Sequence, residues 1–236
     1  MGAYLLNKLW TFKGFEILTM KMKKELPLLT ATEIEEFFTQ TDGNYVFARW
    51  GRPISPVVFG VLDETLGVVK TAIEVVCSTC GHPTDELDPE LGSNLMVFFF
   101  SEWSELCAVP KLDQMIPNLS NVVDRLQAVE ANQYRAFRFD NFGAIQACFV
   151  FLRVDEALEQ LTADSLALAQ MVQAMLLWSP TVFRDKSPLA VLENGTTVLR
   201  PEIAAVLRAA YDPTMPARAD DPSHALRMEA RVRLIS

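Results

Sequence analysis

The chain has 236 residues, half of them apolar and 22% charged, with 21 Lys and Arg against 30 Asp and Glu for a formal charge of −9. One domain of that length can bury a core without disulfides or metals, and the composition is too apolar for intrinsic disorder. No uncharged apolar run approaches the roughly 18 residues that a transmembrane helix needs, and an acidic surface repels phosphate backbones, so neither a transmembrane segment nor nucleic-acid binding is expected.

Residues 1–24 set Lys8, Lys13, Lys21, Lys23 and Lys24 against Glu16 alone. Lys13 and Glu16 interrupt the apolar stretch and no small-residue cleavage site follows, which makes a poor secretory signal. The segment reads as an N-terminal extension ahead of a start at Met20 or Met22, with an amphipathic membrane-surface helix as the alternative. Residues 25–216 read as a single domain and 217–236 as a C-terminal helix. Four cysteines without framework spacing point to a reducing, cytoplasmic location.

Thr30 and Glu33 form a capping box before Ile34, Phe37 and Phe38, the spacing of a short amphipathic helix. Tyr45 to Trp50 and Ile54 to Val61 are β-branched and aromatic runs separated by Gly51-Arg52-Pro53, hence two strands, and Pro56 pushes the second to a sheet edge. Asp63 is placed to cap a helix that Gly81 and Pro83 close. After a polar loop from Asp85 to Gly92, Asn94 to Phe100 is apolar enough for a central strand, and short helices follow Ser101 and Ser120. Gln133 to Asp140 and Ala144 to Arg153 flank Asn141-Phe142-Gly143 as a β-hairpin. A short helix from Asp155 to Leu161 precedes a longer one from Ser165 to Trp178, apolar all round and therefore buried. Helices at about 201–211 and 222–234 each open with a proline. The pattern predicts an α+β fold with a mixed or mainly antiparallel sheet backed by helices.

Few residues combine as chemistry requires. Cys77-Ser78-Thr79-Cys80 followed by His82 has the spacing of a redox pair or half a zinc site, but it falls at a helix C-terminus, where the dipole disfavours a thiolate. Zinc would need a fourth ligand from Cys107, Cys148 or His224, none in a second paired motif. The competing reading is of small residues closing a buried helix end. Asp85, Glu86, Asp88 and Glu90 lack the oxygen spacing of a calcium loop and read as solvated. Arg49, Trp50 and Arg52 form a strand-end rim able to stack on or clamp an anion. His82 and His224, the two histidines, read as surface residues.

In the long apolar helix, Ala169-Gln170-Met171-Val172-Gln173 follows a helix, a strand and a hairpin, an order that resembles zincin metallopeptidases, whose helix there carries H-E-x-x-H. Ala169 stands at the first histidine position, Gln170 at the glutamate and Gln173 at the second histidine. The segment also resembles an uncharacterised bacterial family with a degenerate zincin-like domain, in which E-L-x-Q-A-L replaces the metal motif and a later helix runs into L-Y-D-P. This chain has Gln170-Met171-Val172-Gln173-Ala174-Met175, then LRAAYDP from Leu207 to Pro213, with glutamine where that family keeps glutamate.

The resemblance implies a metallopeptidase-like domain without its metal, since an amide is neither a general base nor a good zinc ligand. It implies a non-catalytic binding or interaction domain with no metal and no cofactor, whose partner is an unidentified protein or small molecule. The candidate binding set is Gln170, Gln173, Arg49, Trp50 and Arg52. The plainer reading gives both glutamines hydrogen bonds to a neighbouring strand or helix. The alternative function is a redox or metal-dependent enzyme using Cys77, Cys80 and His82.

Overall fold

The computed structural model describes residues 29–235, so the expected extension at 1–24 lies outside the described residues. Helix α1, Ala31–Phe38, starts with the expected capping box, in which the Glu33 N–H donates to Thr30 Oγ1 and the Thr30 N–H donates to the Glu33 carboxylate. The expected strand from Tyr45 to Trp50 is reduced to β1, Phe47–Ala48. Its flanking backbone bonds are shared among several elements: Arg49 N–H donates to Ala217 O, Leu177 N–H to Ala48 O and Ile145 N–H to Arg49 O. A segment that stitches neighbours in this way cannot also run one ladder.

Strand β2, Pro56–Phe59, leads through helix α2, Asp63–Cys80, into β3, Leu95–Phe100. The residue that caps α2 is Leu62 rather than Asp63, which instead sits in the first turn where a carboxylate favours the dipole. Gly81 closes α2 at φ 68°, a left-handed conformation that costs glycine little. A 3₁₀ segment, Trp103–Ala108, then α3, Leu112–Met115, and α4, Leu119–Ala128, lead to β4, Gln133–Phe139, and β5, Ile145–Arg153. The strands line up as β2-β3-β5-β4, with β2, β3 and β5 parallel and β4 antiparallel to β5. The fold is α+β with a mixed sheet, β2 lies at an edge as Pro56 requires, and β3 is interior.

Both faces of the sheet are covered, which explains why β3 and β5 are almost wholly apolar. Leu95, Val97, Cys148, Val150 and Leu152 face α2 and the helix that carries the glutamines. Phe98, Phe100, Ala147, Phe149 and Phe151 face Trp103, Leu106, Leu112 and Leu119 on the other side. Beyond β5 come α5, Glu156–Glu159, and α6, Ala163–Met175, capped at Thr162 and packed on α2 and β5. A hairpin of β6, Leu189–Val191, and β7, Thr197–Leu199, then precedes α7, Pro201–Ala210, β8, Arg218–Ala219, and α8, Ser223–Ile235. That hairpin was not expected, although Asn194-Gly195 between β-branched residues is its usual signal, with Gly195 at φ 81°. The C-terminal helix belongs to the same core as the sheet, since Ala225, Met228 and Val232 of α8 join it and β8 pairs with β1.

Asn94 fixes the entry into β3. Its buried amide accepts from Ser55 N–H at 2.8 Å and donates to Pro53 O at 2.8 Å and to Asp88 Oδ2 at 2.9 Å. Asp88, expected to be solvated, is buried by this bond and by the N–H groups of Glu90 and Leu91 on its Oδ1. Replacing Asn94 with Ala strands these buried partners, each costing about 1–3 kcal/mol, so Asn94→Ala should lower the free energy of unfolding in urea by roughly 3 kcal/mol. A loss below about 1 kcal/mol would show that these bonds are replaced by water.

Candidate functional site

The two glutamines of α6 meet the sheet at its other edge. Because side chains alternate along a strand, Gln133, Arg135 and Phe137 of β4 face α6, opposite Leu152, Val150 and Cys148 of β5. Arg135 Nη2 donates to Gln173 Oε1 at 2.7 Å, to Gln170 Oε1 at 3.0 Å and to Gln133 Oε1 at 3.0 Å. Gln170 Nε2 in turn donates to Gln133 Oε1 at 3.0 Å, and Gln173 Nε2 to Ala169 O at 3.1 Å. The buried Gln170 and the half-buried Gln173 therefore both bond to the neighbouring strand, as amides withdrawn from water should.

The accounts of donors and acceptors do not balance at Arg135. Three carbonyl oxygens crowd one nitrogen that has two protons, while the buried Nε has no partner. No carboxylate among the described residues pairs with the guanidinium. Burial alone draws its pKa down to about 10, so it remains a cation at neutral pH. The thiol that acts on it, Cys148, is pushed up to about 12 by its own burial and is neutral there. On the far side of Gln170, between α2, α6 and the sheet, an apolar cavity of about 20 Å³ is lined by Val97, Val150, Leu152 and Met171. That is room for a water molecule and not for a ligand, and Arg135 does not line it; on the other side Gln133, which shares the Arg135 Nη2 bonds, is exposed.

The expected rim at Arg49, Trp50 and Arg52 is not a rim. Trp50 is fully buried, and its indole Nε1 donates to Ala174 O at 2.8 Å, so it is a core residue and no stacking platform. Arg49 donates within the fold, to Trp50 O at 3.2 Å and Met215 O at 3.1 Å, with its guanidinium 5.4 Å from the Tyr211 ring centroid, while its buried Nε has no partner. Arg52 pairs with Asp88 at 3.3 Å and Glu90 at 2.9 Å beside a cleft of about 370 Å³ that also borders Asp85 and Asp140. With its charge already met by carboxylates, Arg52 is a poor anion clamp. None of the three hydrogen-bonds to Gln170 or Gln173, although Trp50 meets the same helix at Ala174; the glutamines' side-chain partners are Arg135 and Gln133, neither of them among the expected residues.

Cys77 and Cys80 lie buried at the end of α2, and burial raises both thiols, Cys80 to about 12. The Cys80 thiol donates to Val76 O and Cys77 O, both at 3.3 Å. His82 is half-buried, with Nε2 2.9 Å from Arg52 O and its ring against Tyr211. Among the described residues no three His, Cys, Asp or Glu side chains come together as metal ligands. His224 is also no surface residue: the docking of α8 buries it against Phe47, with Nδ1 2.7 Å from Tyr45 Oη. No family model, curated protein or solved structure matches the chain.

Burial lowers the pKa of both imidazoles to about 4 from an ordinary value of 6.5. Between those values the unfolded chain takes up protons that the folded chain refuses. Their contribution to stability is therefore complete above about pH 6.5 and drains as pH falls toward 4, by at most about 1.4 kcal/mol per pH unit for each group. Urea unfolding of wild type and His224→Gln at about pH 7 and about pH 5 should show a smaller loss in the variant. Equal losses in the two proteins would contradict the burial of a neutral His224.

Proposed function

We propose that this chain is a non-catalytic binding domain whose recognition centre is Arg135 in its collar of glutamines, and that the ligand presents a carboxylate there. The observation behind this reading is a cation beneath a sheet edge with amide oxygens around it and no counter-charge among the described residues. Such burial costs stability, and the cost is recovered when the missing anion arrives with a ligand. A guanidinium with an unused N–H also has the fork geometry that suits a carboxylate.

The degenerate zincin-like reading fits the same place. Helix α6 follows the β4–β5 hairpin, and Gln170 and Gln173, the positions matching the glutamate and second histidine of H-E-x-x-H, turn toward the edge strand. In that frame Arg135 supplies the positive centre that a metal supplies in a peptidase. A redox or metal-dependent enzyme built on Cys77, Cys80 and His82 has weaker support, because sealed thiols with raised pKa are protonated and unreactive at neutral pH.

The test is a titration of ¹⁵N-labelled protein with sodium acetate against sodium chloride at matched ionic strength. Acetate should shift the Arg135 Nε–H resonance saturably and chloride should not, and Arg135→Gln should abolish the response of Gln133 and Gln173 side-chain amides. A resonance that ignores acetate at hundreds of millimolar, in folded protein, would overturn the proposal.

A further inference from the structure

The outer edge of β4 has no partner strand among the described residues. In an antiparallel ladder, residues alternate between those whose N–H and C=O point to the partner and those whose groups point away. Arg153 N–H donates to Asn132 O at 2.9 Å, while Cys148 N–H turns to Asn94 O on the β3 side at 2.8 Å. Counting from Asn132, the backbones of Tyr134 and Ala136 point to β5, and those of Gln133, Arg135 and Phe137 point off the free edge. The residues that offer unpaired backbone groups are thus the same ones whose side chains line the guanidinium site.

We infer that β4 takes up an extended segment of a partner polypeptide as an added strand, with an acidic residue of that segment directly opposite Arg135. The inference rests on the anion-binding reading and names its ligand. In a hydrogen-bonded pair the opposing residue lies about 5.5 Å away between Cα atoms and puts its side chain on the same face, here the α6 face where the guanidinium waits. The glutamine amides of the collar can turn their N–H groups toward the incoming carboxylate. Arg138, exposed on the other face, adds a second cation to a strand that has no acidic residue.

Among the described residues, the four-stranded sheet of a second copy does not meet the requirement. Strand β4 reads Gln-Tyr-Arg-Ala-Phe-Arg-Phe and the opposite sheet edge, β2, reads Pro-Val-Val-Phe, so neither edge offers a carboxylate to Arg135. The competing role for an inward-pointing charge on an edge strand is to keep other strands away, and it predicts the opposite behaviour.

The probe is the blocked peptide acetyl-Thr-Val-Thr-Glu-Thr-Val-Thr-amide, with the same peptide carrying Gln in place of Glu as control. Hydrogen exchange of the Gln133, Arg135 and Phe137 amides should slow at least about tenfold when the Glu peptide saturates the protein, and the Gln peptide should bind roughly tenfold or more weakly. Arg135→Gln should erase the preference for Glu, while Arg135→Lys, which keeps a cation, should retain part of it. Amides that exchange unchanged with the Glu peptide, while acetate still moves the Arg135 Nε–H resonance, overturn strand addition and leave the anion site standing. No response to either probe removes both. Equal binding of the two peptides shows an edge indifferent to charge and overturns the assigned role of Arg135.

Discussion

The last turn of α6 ends inside the protein, where its carbonyl oxygens have no water to bond, and the fold is arranged to supply donors for them. Trp178 Nε1 donates to Val172 O at 3.0 Å, Trp50 Nε1 to Ala174 O at 2.8 Å and Tyr211 Oη to Met175 O at 2.7 Å. These come from the segment after the helix, from the segment after β1 and from the end of α7. Three aromatic rings thereby meet two needs at once, filling the core and closing a helix end that would otherwise strand several buried carbonyls. The position and rotation of α6 are set by those bonds.

With its C-terminus held, α6 has one face against α2 and β5 and its two glutamines against β4. The collar around Arg135 is thus a rigid arrangement at the edge of the sheet and not a feature of a loop. Rigidity matters because an uncompensated guanidinium would otherwise move toward solvent. Arg135 stays below the edge, its charge retained and its Nε unsatisfied, among side chains that provide oxygens without charge. A fold selected only for stability would place an apolar residue there or supply a carboxylate. The local imbalance is what supports the proposal that this corner of the molecule is a recognition site.

Much of the scaffold was legible in the sequence because its signals are local. The capping box at Thr30, the glycine that ends α2, the proline that sends β2 to an edge and the turn at Asn141-Phe142-Gly143 each act over a few residues. The site was legible only in half. Gln170 and Gln173 drew attention as polar residues in an apolar helix, whereas Arg135 sits in a strand of ordinary amphipathic pattern and nothing near it in sequence marks its charge as unmatched. The signal that could have found it is the register of the β4–β5 hairpin, which puts Arg135 on the buried face beside Val150. Trp50 and His224 were misplaced for a related reason, since their burial is created by Ala174 and Tyr45, residues 124 and 179 positions away.

If Arg135 is kept for recognition, removing it should not harm the fold. The most direct measurement is the free energy of unfolding of the double variant Arg135→Met, Gln170→Met against wild type, by urea denaturation without ligand at neutral pH. Replacing an incompletely paired guanidinium and a buried amide by apolar groups of similar length is expected to leave stability unchanged or raise it by about 1–3 kcal/mol. A loss of more than about 3 kcal/mol in a variant that still folds would contradict the account, because Arg135 and its glutamines would then be the glue between β4 and α6.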